Sequence, residues 1–228
     1  LRCLVGSEMC IRDRVEKEDQ SPLTIADQRS NEVIEKLLKP SGIPILSEEG
    51  IHSSFEERKS FTYLWIVDPL DGTKEFVKKN GEFTVNIALV ENGTPILGVI
   101  YVPVKKWMYF GSSAGSYREV GDSREKLPLN IKKDVFTAVG SRSHPSKETA
   151  DFFKKLKKEQ GNVEVISMGS SLKICLVAEG NADVYPRFAP TMEWDTAAGH
   201  AIAKFAGKSL IDLETNQEML YNLSLIHI

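Results

Sequence analysis

Two aspartates, Asp68 and Asp71, lie close together in the segment WIVDPLDGT. The aromatic and β-branched residues before Asp68 predict a strand over 61–67, and the proline after it predicts that the strand stops and the chain turns at Asp68-Pro69. Such a turn would bring both carboxylates and the Leu70 carbonyl oxygen towards one point. Hard oxygen ligands in this number suit Mg²⁺ rather than zinc or copper.

The next two residues, Gly72 and Thr73, would place free backbone N–H groups beside the metal ions, at the start of a short helix over 73–79. A helix start of this kind binds phosphate groups well. The alternative is that Asp-Pro and Asp-Gly are turn dipeptides and nothing more. Their occurrence together, between a buried strand and a helix start, favours a functional site.

The elements that must position these residues follow from the periodicity of apolar side chains. We predict further helices over 24–38, 147–158, 172–179 and 196–206. We predict further strands over 43–46, 84–90, 96–102, 108–111, 135–139, 163–166 and 182–185, with a hairpin turn at Asn92-Gly93. Antiparallel strands dominate the first half, whereas strands and helices alternate in the second, which indicates a mostly parallel sheet there. The fold class is therefore α/β, with an α+β half followed by an α/β half.

Composition bounds the possible partners. The chain has 228 residues, of which 41% are hydrophobic and 27% charged, and its net charge is −3. The sequence pI near 5.9 argues against a nucleic-acid polymer as partner, because such proteins normally carry a basic face and a high pI. No apolar run is long enough to form a transmembrane segment. The three cysteines form no CxxC pair, which favours a reducing compartment, and we expect a cytoplasmic location, with peripheral attachment at the inner membrane as an alternative.

The organisation of the chain is predicted as two halves with foreign ends. The segment 121–133 is polar and lacks periodicity, so we expect a metal-binding α+β half over 15–132 and an α/β half over 133–222. The ends, LVGSEMCIRDR and LSLIHI, resemble translated sequencing-adaptor DNA. We therefore predict that residues 1–14 and 223–228 are non-native, as a cloning scar would be. The alternative is a genuine N-terminal arm.

Three motifs carry a family resemblance. DPLDGT resembles the metal-binding signature of the inositol monophosphatase superfamily. A second signature is similar to MEWDTAAGHAIAKFAG at 192–207, and a third, a glutamate pair after a short strand, is similar to LSEE at 46–49. They occur in the family order, and the similarity runs over 15–222. The resemblance implies the layered αβαβα sugar-phosphatase fold.

Further segments resemble the bacterial 3'(2'),5'-bisphosphate nucleotidase branch of this superfamily. They are GTKEFVKKNGEFTVNIAL, SRSH, GSSLKICLVAEGNADVYPRF and WDTAAGHA. Inositol monophosphatases carry GT-x-NF where this chain has GTKEF, and this departure favours the nucleotidase branch.

The resemblance implies a metal centre and a pair of catalytic residues. The implied metal ligands are Glu48, Asp68, the Leu70 carbonyl, Asp71 and, from the far half of the chain, Asp195. Asp27 and Thr73 would orient and deprotonate the attacking water. On its own, Asp27 would pass as a capping carboxylate of the helix over 24–38 and Asp195 as the N-cap of the helix over 196–206.

The resemblance also implies a set of substrate contacts. The implied residues are Gly72, Thr73, His144, Ser170, Lys173 and Arg187, of which the last four would hold the nucleotide and its second phosphate. Without the resemblance, His144 would be an exposed histidine, and Lys173 and Arg187 would be surface charges.

The expected function is a phosphomonoesterase that uses two or three Mg²⁺ ions. It would remove the 3' (or 2') phosphate of the small molecule adenosine 3'(2'),5'-bisphosphate to give AMP, with a role in sulfur assimilation and nucleotide turnover. The resemblance implies inhibition by lithium, and the protein would be a monomer or a homodimer. The alternatives are an inositol or sugar monophosphate phosphatase with the same metal centre, and an inactive truncated homologue that only binds nucleotide.

Overall fold

The computed structural model describes residues 15–16, 22–23, 25–143 and 146–223. The helices of the described part are α1 (Ile25–Leu38), α2 (Phe55–Arg58), α3 (Thr73–Val77), α4 (Lys147–Gln160), α5 (Leu172–Glu179) and α6 (Glu193–Phe205), with a 3₁₀ turn at Lys39–Ser41. The strands are β1 (Val15–Glu16), β2 (Pro22–Leu23), β3 (Ile45–Ser47), β4 (Tyr63–Asp71), β5 (Thr84–Glu91), β6 (Thr94–Val102), β7 (Trp107–Ser112), β8 (Gly115–Val120), β9 (Ser123–Lys126), β10 (Phe136–Ser141), β11 (Val163–Met168), β12 (Ile211–Asp212) and β13 (Gln217–Glu218).

A seven-stranded sheet forms the centre of the described part, and its strands run in chain order from β3 to β9. The first pair, β3 and β4, is parallel, and the others form an antiparallel meander. The predicted hairpin between β5 and β6 is confirmed. Its two turn residues, Asn92 and Gly93, have φ values of 48° and 79°, as a two-residue turn between twisted strands requires.

Successive residues of β4 point to opposite faces of this sheet and help to fix the layers. Ile66 belongs to the large apolar core that includes α5 and α6, whereas the next residue, Val67, packs with Ile34 of α1. Beyond α5 and α6 lie β10 and β11, a parallel pair that α4 covers. The layer order α1, sheet, α5 and α6, β10 and β11, α4 confirms the predicted layered α/β fold.

Two strand glycines let α6 lie directly on the sheet. A Cβ added at Gly98 of β6 would be 2.2 Å from the Ala198 carbonyl oxygen. A Cβ at Gly111 of β7 would be 2.8 Å from Ile202 Cα. Interiors are packed too closely to absorb such overlaps, so glycine at these positions fixes the depth of α6 and, with it, the position of the first helical turn that carries Asp195.

The prediction that a strand stops and turns at Asp68-Pro69 is wrong, since β4 continues to Asp71. The register shifts from Asp68 opposite Asn86 to Asp71 opposite Thr84, so β4 has one extra residue. Such a bulge leaves a residue outside the ladder, and a proline without an N–H is tolerated there.

The second half departs from prediction in three places. The predicted strand over 182–185 is not formed. A single parallel bridge joins Val184 to Ala138, and Pro186 follows soon after. Within the described residues the parallel sheet of this half is the β10–β11 pair alone. Helix α6 begins at Glu193 and not at 196.

The predicted helices are otherwise confirmed with shifted ends, and the helix over 172–179 matches α5. Strands β8 and β9 were not predicted, and β9 lies within the polar segment 121–133. Its exposed, charged side chains suit an edge strand. The division of the chain at 132/133 and the foreign origin of both ends stay predictions. Among the described helices, none has both the length and the apolarity to cross a membrane.

Candidate metal centre and adjoining cavity

Three aspartates from distant parts of the chain meet at the carboxyl end of β4. Asp68 lies at the β4 bulge, Asp71 at the end of β4, and Asp195 in the first turn of α6. Each offers a carboxylate oxygen, and these oxygens lie within 4.8 Å of one another. Asp68 is 1% exposed, so the cluster is set into the protein and not spread over its surface.

Local hydrogen bonds hold the bulge in shape. The Leu70 N–H donates to Asp68 Oδ1 at 3.0 Å, and the Ser30 hydroxyl donates to the Pro69 carbonyl at 2.9 Å. Ser30 lies on α1, so the helix that packs against β4 also fixes the peptide between the two aspartates. The Leu70 N–H thus fixes one oxygen of the Asp68 carboxylate, and the Glu48 side chain also hydrogen-bonds to this carboxylate.

Asp71 is held by donors from both halves of the chain. Its Oδ2 accepts the Ser171 N–H and the Ser171 hydroxyl, each at 2.6 Å, and the Asn86 amide at 3.3 Å. The Ser171 hydroxyl oxygen is also 2.8 Å from the Asp195 carbonyl oxygen. Ser171 therefore links the two aspartates and leaves Asp71 Oδ1 for another partner.

Asp195 is not the N-cap of its helix, although its sequence position alone would allow that role. Because α6 begins at Glu193, the cap position is Met192 and Asp195 is the third residue of the helix. Its Oδ2 accepts the Met192 N–H at 3.0 Å and the Thr191 hydroxyl at 2.7 Å. The carboxylate therefore closes the helix start with one oxygen and meets Asp71 from the opposite side of the cluster.

Burial and like charge strain the cluster. Burial, followed by the charges of Glu48, Asp71 and Asp195, raises the pKa of Asp68 well above its ordinary value. Burial, followed by the charge of Asp71, also raises the pKa of Asp195. Carboxylates placed so close repel one another, and a cation between them would relieve both effects. The donor set consists of oxygens only, which fits Mg²⁺ or Ca²⁺ and not a softer metal.

Two further predicted residues border the cluster. Glu48 follows β3, where its N–H donates to the Val67 carbonyl at 3.1 Å, and its charge acts on Asp68. Thr73 begins α3, and its hydroxyl lies 3.3 Å from Asp27 Oδ1 and 3.4 Å from the Leu70 carbonyl oxygen. Asp27 is 1% exposed, and it faces Thr73 from α1.

A cavity of about 270 Å³ opens beside the cluster. Its lining brings together most of the predicted residues: Glu48, Asp71, Gly72, Thr73, Ser170, Lys173, Arg187 and Asp195. Gly72 has φ 90° and Ser170 φ 47°, so two loops reach the cavity through left-handed residues. The Ser170 hydroxyl is buried without a hydrogen-bond partner among the described residues. His144 lies outside the described residues.

Three basic residues line this cavity, Lys74, Lys173 and Arg187, and the last two form what we call its cationic wall. Lys173 is 6% exposed, not a surface charge, and its ammonium donates to the Ser170 carbonyl. Burial lowers the pKa of Lys173, while the charge of Asp71 opposes that shift. The Arg187 guanidinium donates to the carbonyls of Ala189 at 3.1 Å and Pro190 at 2.7 Å, which fixes it at the rim.

Several residues of the site were not predicted from the sequence, and four of them bear on its chemistry. Asn86 and Ser171 hold Asp71, and they gave no signal because a strand asparagine and a helix-start serine are ordinary. Glu75 and Ser143 also line the cavity. Glu75 had a signal in the sequence, since it is the position at which GTKEF departs from GT-x-NF.

Comparisons with known proteins agree on one family. The model of the inositol monophosphatase family matches residues 4–227, a span that includes most of both ends predicted to be non-native. The chain is 47% identical over 198 residues to the 3'(2'),5'-bisphosphate nucleotidase CysQ of Salmonella typhimurium, covering 86% of this chain and 78% of the relative. It is 46% identical over 203 residues to the enzyme of the same name from Escherichia coli K12, covering 88% and 80%.

A solved structure is similar over almost the whole chain. The crystal structure of CysQ from Bacteroides thetaiotaomicron, described as a bacterial member of the inositol monophosphatase family, superposes with a TM-score of 0.88 at 49% identity. The match covers 98% of this chain and 87% of that one.

Proposed function

Because this chain belongs to the inositol monophosphatase family, we propose that it is a magnesium-dependent 3'(2'),5'-bisphosphate nucleotidase. It would hydrolyse the 3' (or 2') phosphate of adenosine 3'(2'),5'-bisphosphate to give AMP, in sulfur assimilation and nucleotide turnover in the cytoplasm. The observation that carries the proposal is the cluster of Asp68, Asp71 and Asp195, of which Asp68 is buried, beside a cavity that Lys74, Lys173 and Arg187 also line. The names of the relatives that are 46–47% identical support the substrate.

The metal would be held by the oxygens of the cluster. We assign Glu48, Asp68, Asp71, Asp195 and the Leu70 carbonyl as ligands of two or three Mg²⁺ ions. When bound, magnesium would supply Lewis-acid stabilisation of the negative charge on the reacting phosphate. The chain contributes the fixed carboxylates: Ser171 and Asn86 hold one oxygen of Asp71, and Asp71 lines the cavity.

Thr73 and Asp27 would move the proton. The Thr73 hydroxyl donates to Asp27 Oδ1, so its remaining lone pairs can accept a hydrogen bond from an attacking water. Asp27 can then receive the proton through Thr73. General-base assistance of this kind contributes ~10²–10⁴-fold to a rate.

The second phosphate would lie against the cationic wall. Arg187 presents a planar guanidinium and Lys173 a point charge, and both line the cavity. Gly72, Thr73 and Ser170 would contact the reacting phosphate and the sugar from the loops beside the cluster. His144, which follows Ser143 in the chain, completes the proposed substrate contacts. No feature of the described residues supports peripheral attachment to a membrane.

The test is phosphate release from adenosine 3',5'-bisphosphate beside inositol 1-phosphate, each with and without Mg²⁺. We expect release that depends on Mg²⁺ and prefers the nucleotide. Preference for inositol 1-phosphate would keep the metal centre and overturn the substrate. Binding of the nucleotide by folded protein without any release would overturn the enzymatic function.

A further inference from the structure

One wall of the cavity carries a negative charge that the proposed mechanism does not use. Glu75 of α3 and Ser143, which follows β10, both line the cavity, and the Ser143 hydroxyl donates to Glu75 Oε1. Glu75 is 3% exposed. A carboxylate is costly to bury unless it is hydrogen-bonded, and the Ser143 hydroxyl supplies a hydrogen bond to Glu75 inside the cavity.

The backbone on both sides of this contact is held firmly. A Cβ added at Gly169 would lie 2.8 Å from Glu75 Cγ, so the stem of Glu75 packs directly on the loop after β11. Glu82 accepts the Gly169 N–H at 2.7 Å, and its two oxygens accept Arg142 Nε and Nη2 at 2.8 Å each. The segment that follows the DGT turn is thereby fixed to the two loops across the cavity.

The direction of the hydrogen bond determines what Ser143 can offer to a ligand. The Ser143 hydroxyl has a single proton, and the hydrogen bond directs that proton to Glu75 Oε1. The Ser143 oxygen then retains only acceptor capacity. It can pair with an N–H or O–H group but cannot donate to a phosphate oxygen.

We propose that Glu75 is a positioning residue that makes Ser143 an acceptor for a hydrogen-bond donor on the nucleoside part of the substrate. The donor is an amine of the base or a hydroxyl of the ribose. The carboxylate also repels phosphate from this wall, so the second phosphate lies against Lys173 and Arg187. The inference rests on the proposed nucleotidase function and adds a residue pair that sets its specificity.

The test compares kcat/KM for adenosine 3',5'-bisphosphate, its 2'-deoxy analogue and inosine 3',5'-bisphosphate. The 2'-deoxy analogue lacks the ribose hydroxyl donor, and the inosine compound replaces the amine with a carbonyl. We expect the wild type to prefer the adenosine compound over one of these analogues by about tenfold, as the loss of one buried hydrogen bond predicts. The analogue that is disfavoured identifies the donor.

Ser143→Ala and Glu75→Ala should both abolish this preference, because neither offers a fixed acceptor. Glu75→Gln keeps a carbonyl oxygen for Ser143 and should retain the preference within about threefold. Ser146→Ala is the matched control. The Ser146 hydroxyl accepts the Thr149 N–H at 3.1 Å and caps α4, so this variant shows the effect of losing a serine hydroxyl near Ser143 without removing the proposed acceptor. It should leave the preference unchanged.

Equal loss of activity on all three substrates in Ser143→Ala, or survival of the preference there, would overturn the inference. So would a wild type with no preference against either analogue. If the proposed nucleotidase function itself were wrong, the result would be different. The wild type would release no phosphate from any of the three nucleotides but would hydrolyse another phosphomonoester.

Discussion

Asp68→Asn is expected to stabilise the metal-free protein and to abolish its response to Mg²⁺. Asp68 lies within 4.8 Å of Asp71 and Asp195, and a pair of unit charges at this separation repels by about 3.5 kcal/mol at an effective dielectric constant of ~20. Partial protonation and relaxation reduce this, so we expect a gain of about 1–3 kcal/mol in the free energy of unfolding. The amide carbonyl that replaces the carboxylate can still accept the Leu70 N–H, which keeps the bulge intact.

The sign of the pH dependence follows from the direction of the pKa shift. The pKa of Asp68 is raised in the folded state, chiefly by burial and then by neighbouring carboxylates. The folded state therefore binds the proton more tightly, and stability that is present below the unfolded pKa is lost as the pH rises through the folded pKa. The advantage of Asp68→Asn should therefore be smallest at acid pH and should grow as the pH rises through the folded pKa of Asp68.

The assay is urea unfolding of wild type and variant in chelator and in Mg²⁺. At 100 times its Kd, Mg²⁺ should stabilise the wild type by ~2.7 kcal/mol and leave the variant unchanged, so the difference in free energy of unfolding between the two proteins should shift by that amount in favour of the wild type. The exposed aspartate Asp134 supplies the control, since Asp134→Asn should change neither the metal-free stability nor the response. An Asp68→Asn variant that is less stable without metal, or that gains as much from Mg²⁺ as the wild type, would refute this reasoning.

Three further substitutions and one inhibitor test other parts of the structure. Thr73→Val should lower kcat by at least ~10²-fold with little change in KM, because it removes the hydroxyl 3.3 Å from Asp27. A rise in KM with kcat unchanged would contradict this. Gly98→Ala should lower the free energy of unfolding by more than about 3 kcal/mol in denaturant titrations, since its Cβ would meet the Ala198 carbonyl at 2.2 Å. Burial lowers the pKa of His200, so the unfolded state takes up the proton first and stability should fall as the pH drops below ~6.5; His200→Gln should flatten that fall in pH-dependent melting curves. Millimolar lithium should inhibit phosphate release, and unchanged turnover would show that the protein is insensitive to lithium.

The sequence predicted the elements whose signals are local. The stripe of α1, the Asn92-Gly93 hairpin and the glycine after α5 depend on a few neighbouring residues, and each element is present. The apolar run before Asp68 likewise predicted β4. Its end was wrong because a proline in a strand signals a stop, whereas a bulge can place it outside the ladder.

The parts that could not be predicted depend on contacts between distant residues. The burial of Lys173 and the capture of Asp71 by Ser171, 100 residues along the chain, leave no periodic trace. The strand β9 is polar because it lies at a sheet edge, and its composition resembles a loop. The start of α6 was placed three residues late because Asp195 reaches back to Met192 and takes the place of a capping side chain.

The most direct test of the proposed chemistry is to follow both phosphates of adenosine 3',5'-bisphosphate by ³¹P NMR. With Mg²⁺, the 3'-phosphate signal should be replaced by that of inorganic phosphate while the 5'-phosphate persists, and chelator or Asp195→Asn should stop the conversion. Loss of the 5'-phosphate first, or the same conversion in the presence of chelator, would contradict the account.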